Sequence, residues 1–366
     1  MQVWIAGGGT GGHVYPGLAV VQALRAERGF DALDVLYVGG HGGVEEQLVE
    51  RAGLRFVGVP AGGVHGLGPG RAVQNLTKLI QGCWKAYRLG QRQRPAALFV
   101  TGGYASVPVA WAAWALRVPI LVYLPDVEPG LAVRVIARLA TRVAVTVDAS
   151  RAHFPARKVV VTGYPVRAEF HALDRRAARA TLGLASDEPV VLAMGGSRGA
   201  RQINRALGGV LERILELAQV VHVSGELDWP WVEERRAALP EALRGRYRAF
   251  PYLHEMGLAL AAADVTICRA GASTLGELPF FGLPGVLVPY PHAWRYQRVN
   301  AEWLVEQGAA VQVEDERLPE ALLPTVERLL GDRAGLAQMA ERMQGLACPD
   351  AAARLARELD ELTGRR

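Results

Sequence analysis

Cysteine is scarce in this 366-residue sequence, which contains only Cys83, Cys268 and Cys348. Their wide separation fits neither a disulfide framework nor a cysteine metal site, and it favours a reducing cytoplasm. A long uninterrupted apolar run is also missing. The most apolar window, residues 105–124, contains two prolines and an arginine, so we expect a buried helix followed by a buried strand. Residues 1–5 already have a strand pattern, and no secretory leader is expected.

The sequence has little excess charge, with a formal net charge of +5. This mild balance suits an acidic partner such as nucleotide phosphates, a lipid pyrophosphate or an anionic membrane surface. No helix-turn-helix, aromatic RNA-binding strand or basic-aromatic cluster stands out, so nucleic acid is not an expected partner.

Strands alternate with helices throughout, and each half opens with a strand, a glycine-rich turn and a helix. The first such unit starts at residue 3 and the second at residue 190. The length is sufficient for two domains with their own cores. We therefore predict an α/β fold with two doubly wound, Rossmann-like domains facing each other across a cleft.

The most informative stretch is the strand and turn that precede residue 274. An apolar strand over residues 265–268 leads into small residues and then into a helix that starts at Ser273 or Thr274. Free amides and the helix dipole at such a junction bind anions, and a phosphate could come close. Glu277 follows one turn later, where a carboxylate could accept hydrogen bonds from two ribose hydroxyls.

A glycine-rich run at residues 7–12 precedes His13 and formally contains the G-x-G-x-x-G pattern. Pro16 follows, and we expect it in the first turn of the helix that runs to Arg28. The dinucleotide fingerprint also needs an acidic residue at the end of the second strand, and here Asp34 lies at the wrong end, which argues against NAD. Histidine exchanges protons near neutral pH, so His13 could accept a proton from an attacking hydroxyl. A helix-capping or backbone-bonded histidine is the alternative.

The run GGSRGA at residues 195–200 also matches the G-x-S-x-G nucleophile elbow of α/β-hydrolases. A hydrolase would use Ser197 with an acid and His292, but the duplicated half-chain and Glu277 would then have no role. We expect Ser197 to donate its hydroxyl to a pyrophosphate instead.

Two further segments carry candidate chemistry. Asp126 and Glu128 form a carboxylate pair that is weak evidence for a divalent cation, and Asp126 is a rival to His13 as general base. The helix predicted over residues 72–91 has apolar residues at spacings of three and four, interleaved with cations. Such a helix could pack into a core with a solvated basic face, or it could lie on an anionic membrane surface.

Residues Gly271, Thr274, Glu277, Pro289 and Gln297, with Gly-Leu-Pro at 282–284, resemble the donor segment of two-domain (GT-B) glycosyltransferases that use UDP-sugars. The resemblance is strongest to the peptidoglycan GlcNAc transferases and covers nearly the whole sequence. It implies an acceptor domain over residues 1–163, a donor domain over residues 164–345, and a final helix over residues 346–366 that returns to the first domain.

The resemblance implies an inverting transfer of GlcNAc from UDP-GlcNAc to the 4-hydroxyl of MurNAc in undecaprenyl-pyrophosphoryl-MurNAc-pentapeptide. It also implies a peripheral location on the cytoplasmic face of the membrane, with no metal and no cofactor. The catalytic candidates are His13 and Asp126. The residues expected to bind substrates are Thr10, Gly11, Gly12, Gly102, Gly103, Asp126, Arg167, Ser197, Leu253, Ala272, Ser273, Thr274, Leu275, Gly276, Glu277, Gln297 and Asn300.

Two departures from that family concern the sugar. Residues 123–126 read Tyr-Leu-Pro-Asp where the family usually has a His-Glu-Gln-Asn-like segment, and Tyr296 stands beside Gln297 where the family has paired glutamines. The sequence therefore leaves open the choice between GlcNAc and another hexosamine. A glycolipid transferase with another acceptor, a UDP-GlcNAc epimerase and a non-catalytic sugar-nucleotide binder are the alternatives.

Overall fold

Short runs of Val, Leu, Ile and Ala are the pattern of strands that are buried on both faces of a parallel sheet. The computed structural model describes residues 2–8, 11–29, 33–42, 44–62, 69–196, 199–292 and 295–364, and it contains two such sheets. One compact unit comprises Met1–Arg167 and Cys348–Arg366, and the other comprises Ala168–Ala347. The predicted architecture of two Rossmann-like α/β domains is confirmed.

The first unit is built on a sheet of seven strands. All neighbouring strands in it are parallel, in the order β3-β2-β1-β4-β5-β6-β7. The strands are β1 Gln2–Gly7, β2 Asp34–Gly40, β3 Arg55–Val59, β4 Ala97–Gly102, β5 Ile120–Leu124, β6 Arg142–Val145 and β7 Val159–Val161. Its helices are α1 Gly11–Arg28, α2 Val44–Arg51, α3 Pro69–Gln93, α4 Ser106–Ala115 and α5 Leu131–Leu139.

The second unit is built on a sheet of six parallel strands in the order β10-β9-β8-β11-β12-β13. The strands are β8 Val190–Met194, β9 Gln219–Val223, β10 Tyr247–Phe250, β11 Val265–Cys268, β12 Gly285–Leu287 and β13 Ala310–Gln312. The helices are α6 Arg175–Thr181, α7 Arg201–Leu217, α8 Trp229–Ala238, α9 Glu241–Arg244, α10 Met256–Ala262, α11 Thr274–Phe281, α12 Tyr296–Glu306, α13 Leu318–Gly331 and α14 Arg333–Gly345.

The strand order reverses once in each sheet. In the first unit, the chain runs outward from β1 through β2 and β3 and then returns to place β4 on the other side of β1. The second unit repeats this pattern, with β11 on the other side of β8. Ligands of open α/β sheets bind outside the carboxyl ends of the strands at such a reversal. The turns after β1, β4, β8 and β11 are therefore where a site is expected.

The helix after β1 begins earlier than the sequence suggests. We expected Pro16 in the first turn of this helix, where proline is favoured because its missing N–H would have no partner there. The expectation was wrong: α1 begins at Gly11, and Pro16 is its sixth residue. The glycines at the start of α1 gave no sign of helix, since glycine has a poor helix propensity.

A last helix, α15 Ala351–Thr363, belongs to the first unit although it follows the second in sequence. It packs against α1, and its residues Leu355, Leu359 and Leu362 are buried. Arg142 at the start of β6 forms ion pairs with Glu358 and Glu361 of this helix.

Candidate active site

His13 lies at the strand reversal of the first sheet, as the third residue of α1. Its Nδ1 is 2.8 Å from the main-chain oxygen of Thr101, which belongs to β4. A carbonyl oxygen can only accept a hydrogen bond, so Nδ1 carries the proton. Nε2 is then the basic nitrogen, and no partner for it is found among the described residues. The alternative, a backbone-bonded histidine, is therefore correct for Nδ1, but Nε2 is available to accept a proton.

The glycines after β4 allow the chain to come close to the histidine loop. Gly102 has φ +110°, and a Cβ at this position would lie 3.1 Å from Cε1 of His13. Gly103 has φ +82°, and a Cβ there would lie 2.3 Å from the main-chain oxygen of Gly8. Both positions therefore need glycine, for backbone conformation and for space. The structure brings Gly11, Gly12, Gly102 and Gly103 to the carboxyl edge of β1 and β4.

Asp126 follows β5, the strand next to β4, and is half-buried. It is therefore at the same edge of the sheet as His13. Burial raises the pKa of the neighbouring Tyr123 well above its usual value, and the charge of Asp126 acts in the same direction. Tyr123 is thus a neutral hydroxyl, and its oxygen lies 2.7 Å from Oγ1 of Thr146. Among the described residues, no group of three or more His, Cys, Asp or Glu side chains could hold a metal ion.

Arg167 is the last residue of the first unit before the chain enters the second. Its guanidinium carbon lies 5.4 Å from the ring centre of Tyr15, two residues after His13 in α1. A guanidinium that stacks on an aromatic ring in this way is stabilised by the negative face of the ring. Two of the residues predicted to bind substrates, Thr10 and Ser197, lie outside the described part of the chain.

The turn after β11 is the corresponding place in the second unit. Thr274 donates both its amide and its hydroxyl to the main-chain oxygen of Gly271, at 3.0 and 2.6 Å. The amides of Leu275 and Gly276 donate to Ala272 and Ser273. Of the three amides predicted to bind the pyrophosphate, those of Ala272 to Thr274, the amides of Ala272 and Ser273 have no acceptor among the described residues. These two N–H groups, at the positive end of α11, are the anion donors of the turn.

Glu277 is half-buried in the first turn of α11. The Glu277 carboxylate affects Cys268 at the end of β11. Burial raises the pKa of the Cys268 thiol to about 12, and the negative charge of Glu277 also raises this pKa. The carboxylate therefore lies within electrostatic reach of the strand end that leads into the anion-binding turn. Leu253, which follows β10 at the far side of the sheet, is half-buried.

Gln297 and Asn300 lie on α12 and differ in exposure. The side-chain oxygen of Gln297 accepts a hydrogen bond from the amide of Tyr290 at 2.9 Å, so its NH₂ group is the part that can donate to a sugar hydroxyl. Asn300 is fully buried and donates to the main-chain oxygen of Ala270 at 3.1 Å. Asn300 therefore holds the turn after β11 from the interior of the protein.

Arg269 is a further residue of this site, and its role was not predicted from the sequence. Its guanidinium donates to the main-chain oxygen of Val288 at 3.2 Å and forms an ion pair with Asp315. It also lies 5.2 Å from the ring centre of Tyr290, the residue whose amide is bonded to Gln297. Arg269 therefore joins the turn after β11 to the loop after β12. Its position in that turn was the only signal in the sequence.

A second feature that was not predicted from the sequence is a network of buried polar side chains beside α7. The Asn204 amide donates to the main-chain oxygen of Ser224 and to Asp228, both at 2.8 Å. The Asn204 oxygen must then accept from Nε2 of His222, at 2.9 Å, and Nδ1 of His222 accepts from the Tyr247 hydroxyl, at 2.7 Å. Burial lowers the pKa of His222 to about 4, so this histidine is neutral at pH 7. The sequence of β9, which has three valines among its five residues, gave no hint of this network.

Comparisons with known proteins agree with this architecture. The N-terminal domain of glycosyltransferase family 28 matches residues 3–145, and the C-terminal domain of that family matches residues 190–355. Among solved structures, the crystal structure of Acinetobacter baumannii MurG superposes on this chain with a TM-score of 0.76 at 25% sequence identity. The superposition covers 98% of this chain and 99% of that one. UDP-GlcNAc 2-epimerase from Neisseria meningitidis, bound to UDP-GlcNAc, superposes with a TM-score of 0.67 at 12% identity, covering 99% and 100%, and shares the fold alone.

A sequence relative extends the match to full length. The protein from Roseiflexus sp. (strain RS-1) named UDP-N-acetylglucosamine--N-acetylmuramyl-(pentapeptide) pyrophosphoryl-undecaprenol N-acetylglucosamine transferase is 43% identical over 423 aligned residues. The alignment covers 100% of this chain and 96% of the relative. The two glycine-turn sites, each at a strand reversal, thus lie within the two matched domains, and this chain belongs to glycosyltransferase family 28.

Proposed function

We propose that the chain transfers GlcNAc from UDP-GlcNAc to the 4-hydroxyl of MurNAc in undecaprenyl-pyrophosphoryl-MurNAc-pentapeptide, the step that converts lipid I into lipid II for peptidoglycan. The observation that carries this proposal is the geometry of His13, whose Nδ1–H is bonded to a carbonyl and whose Nε2 is a base at the strand reversal. The full-length similarity to a transferase of this specificity supports the choice of substrates.

The second unit would hold UDP-GlcNAc. The amides of Ala272 and Ser273 and the positive end of α11 suit the pyrophosphate, because they present fixed donors to negative charge. Glu277 would accept hydrogen bonds from the two ribose hydroxyls. The NH₂ group of Gln297, whose oxygen is held by the Tyr290 amide, would donate to the sugar.

The first unit would bind the acceptor and start the reaction. The pyrophosphate of lipid I would lie on the glycine turns after β1 and β4. Nε2 of His13 would take the proton of the MurNAc 4-hydroxyl as its oxygen bonds to the anomeric carbon of GlcNAc. The bond between that carbon and the UDP oxygen breaks with inversion, and the amides at α11 stabilise the departing charge.

The direct test is release of UDP from UDP-GlcNAc by the purified protein, with and without a lipid I analogue, in the presence of EDTA. We expect release only when the acceptor is present, and we expect EDTA to have no effect. A competent acceptor that triggers no release would disprove the proposal. An epimerase would instead form a new UDP-sugar without any acceptor, and a transferase for another glycolipid would reject the lipid I analogue but use a different one.

We also propose that α3 binds the anionic surface of the membrane, on the cytoplasmic face. Leu76, Ile80 and Trp84, here called the α3 stripe, recur every four residues and are 50%, 62% and 54% exposed. Arg88, one turn after Trp84, lies 4.9 Å from the Trp84 ring, and Lys78 is exposed on another face of the same helix. Exposed apolar side chains flanked by cations are typical of helices that lie in the membrane interface. None of the helices in the described ranges combines the length and the hydropathy of a membrane-spanning segment.

Changing all three residues of the α3 stripe to serine should reduce binding to phosphatidylglycerol vesicles at least about tenfold, because burial of one large apolar side chain contributes ~1.5–3 kcal/mol when complete. Sedimentation with vesicles measures this. Leu227→Ser is the matched control, since Leu227 is 73% exposed on the other unit. Release of UDP with a water-soluble acceptor should be unchanged. Equal vesicle binding by the triple variant and the wild type would contradict the proposal.

A further inference from the structure

The strand that faces His13 contains an irregularity at one residue. In the pairing of β1 with β4, Ala6 is opposite Val100, but the next residue, Gly7, is opposite Gly102. Thr101 is therefore an extra residue in β4, a β-bulge. Bulges occur beside active sites, where they redirect a side chain or a carbonyl out of the ladder. The carbonyl and hydroxyl of Thr101 are both used outside the strand pairing.

Both of these groups bind His13. The Thr101 main-chain oxygen accepts from Nδ1 of the imidazole at 2.8 Å, and the Thr101 hydroxyl donates to the His13 main-chain oxygen at 2.5 Å. The two bonds hold the ring and the backbone of the same residue. Because the ring and the backbone of His13 are both held, the imidazole has one orientation and one tautomer, and its Nε2 points in one direction.

The neighbouring residues make room for this arrangement. A Cβ on Gly7 would lie 2.0 Å from Oγ1 of Thr101, so only glycine allows the hydroxyl to reach the His13 carbonyl. Thr101 is fully buried, and water does not compete for its hydrogen bonds. The bulge and the glycine before α1 therefore serve one contact between residues 13 and 101.

We infer that Thr101 is a positioning residue for catalysis, which orients His13 as the base through its hydroxyl and its carbonyl together. The inference rests on the proposed role of His13. It goes further, because it assigns the orientation of the imidazole to Thr101, a residue of the neighbouring strand that acts through His13. A methyl group in place of Oγ1 could not approach an oxygen at 2.5 Å, so Thr101→Val should displace His13 as well as remove a hydrogen bond.

The test combines kinetics with the tautomer of His13. We expect Thr101→Val to lower kcat about tenfold or more, because small displacements of a catalytic group are costly, while KM for UDP-GlcNAc stays unchanged. Thr101→Ser retains the hydroxyl and should restore kcat to within about threefold of wild type. In full-length protein labelled with ¹⁵N-histidine, the His13 signal, identified by its loss in His13→Ala, should show a protonated Nδ1. In Thr101→Val the Nε2–H tautomer should become populated.

Thr266→Val is the matched control. Thr266 is also fully buried and donates its hydroxyl to a main-chain oxygen, that of Leu192, at 3.1 Å. This variant should leave the His13 tautomer unchanged. The inference is overturned if Thr101→Val keeps the wild-type tautomer and a kcat within twofold of wild type. A changed tautomer in Thr101→Val, with full activity in His13→Ala, would support the positioning contact and reject His13 as the base, so the two failures are distinguishable.

Discussion

Replacement of His13 by alanine is expected to lower kcat by about 100-fold or more, with little change in KM for UDP-GlcNAc. Loss of a general base typically costs 10²–10⁴-fold, and here the acceptor hydroxyl would have to attack without transfer of its proton to Nε2. The donor is bound by the other unit in our proposal, so its affinity should be preserved. Acceptor-dependent release of UDP, measured at saturating concentrations of both substrates, reports the change.

The control for this variant is His153→Ala. His153 is an exposed histidine of the same unit, at the end of the 3-10 helix Asp148–His153, and its loss should leave kcat unchanged. If His13→Ala retained kcat within a few-fold of wild type, Asp126 would become the base. It follows β5 at the same sheet edge. Asp126→Asn would then be the variant with the large loss.

Replacement of Glu277 by alanine is expected to raise KM for UDP-GlcNAc about 100-fold. A hydrogen bond to a charged group contributes ~1.5–3 kcal/mol, and the loss of two to the ribose amounts to about 3 kcal/mol, which is two factors of ten. Titration of UDP by calorimetry should show the same loss, because the ribose belongs to UDP. The acceptor plays no part in that measurement.

Glu320→Ala is the matched control for Glu277. Both are glutamates in the first turn of a helix of the second unit, and Glu320, in α13, is exposed. Glu277→Gln should fall between wild type and alanine, since the amide retains one acceptor oxygen. Unchanged binding of UDP by Glu277→Ala would show that another group holds the ribose.

Much of the fold could be predicted because parallel strands buried on both faces have continuous apolar sequences, and because glycine turns mark their carboxyl ends. The turns carrying His13 and Glu277 were found in this way. Local sequence also has clear limits. The contact between His13 and Thr101 joins residues 88 positions apart and depends on a bulge, which is defined by the register of two strands. Neither strand alone contains that information.

The functions of amide and guanidinium groups were the least predictable from sequence. Asn300 was expected to contact the donor, and the structure places it in the interior on the Ala270 carbonyl. Arg269 was overlooked, although it joins two loops of the site. A polar side chain next to a glycine turn can point up to a ligand or down into the protein. Sequence position does not distinguish the two, since both satisfy its hydrogen bonds.

The packing of α15 on α1 has a consequence for synthesis of the protein. A ribosome completes residues 168–347 before it makes α15. The second unit therefore has all its strands at a point when the first unit still lacks its last helix. Until then, the apolar surface that later buries Leu355, Leu359 and Leu362 is uncovered. Domains usually fold in the order of synthesis, N-terminal first. In this chain that order is reversed, because the first unit receives α15 only after the second unit has all its strands.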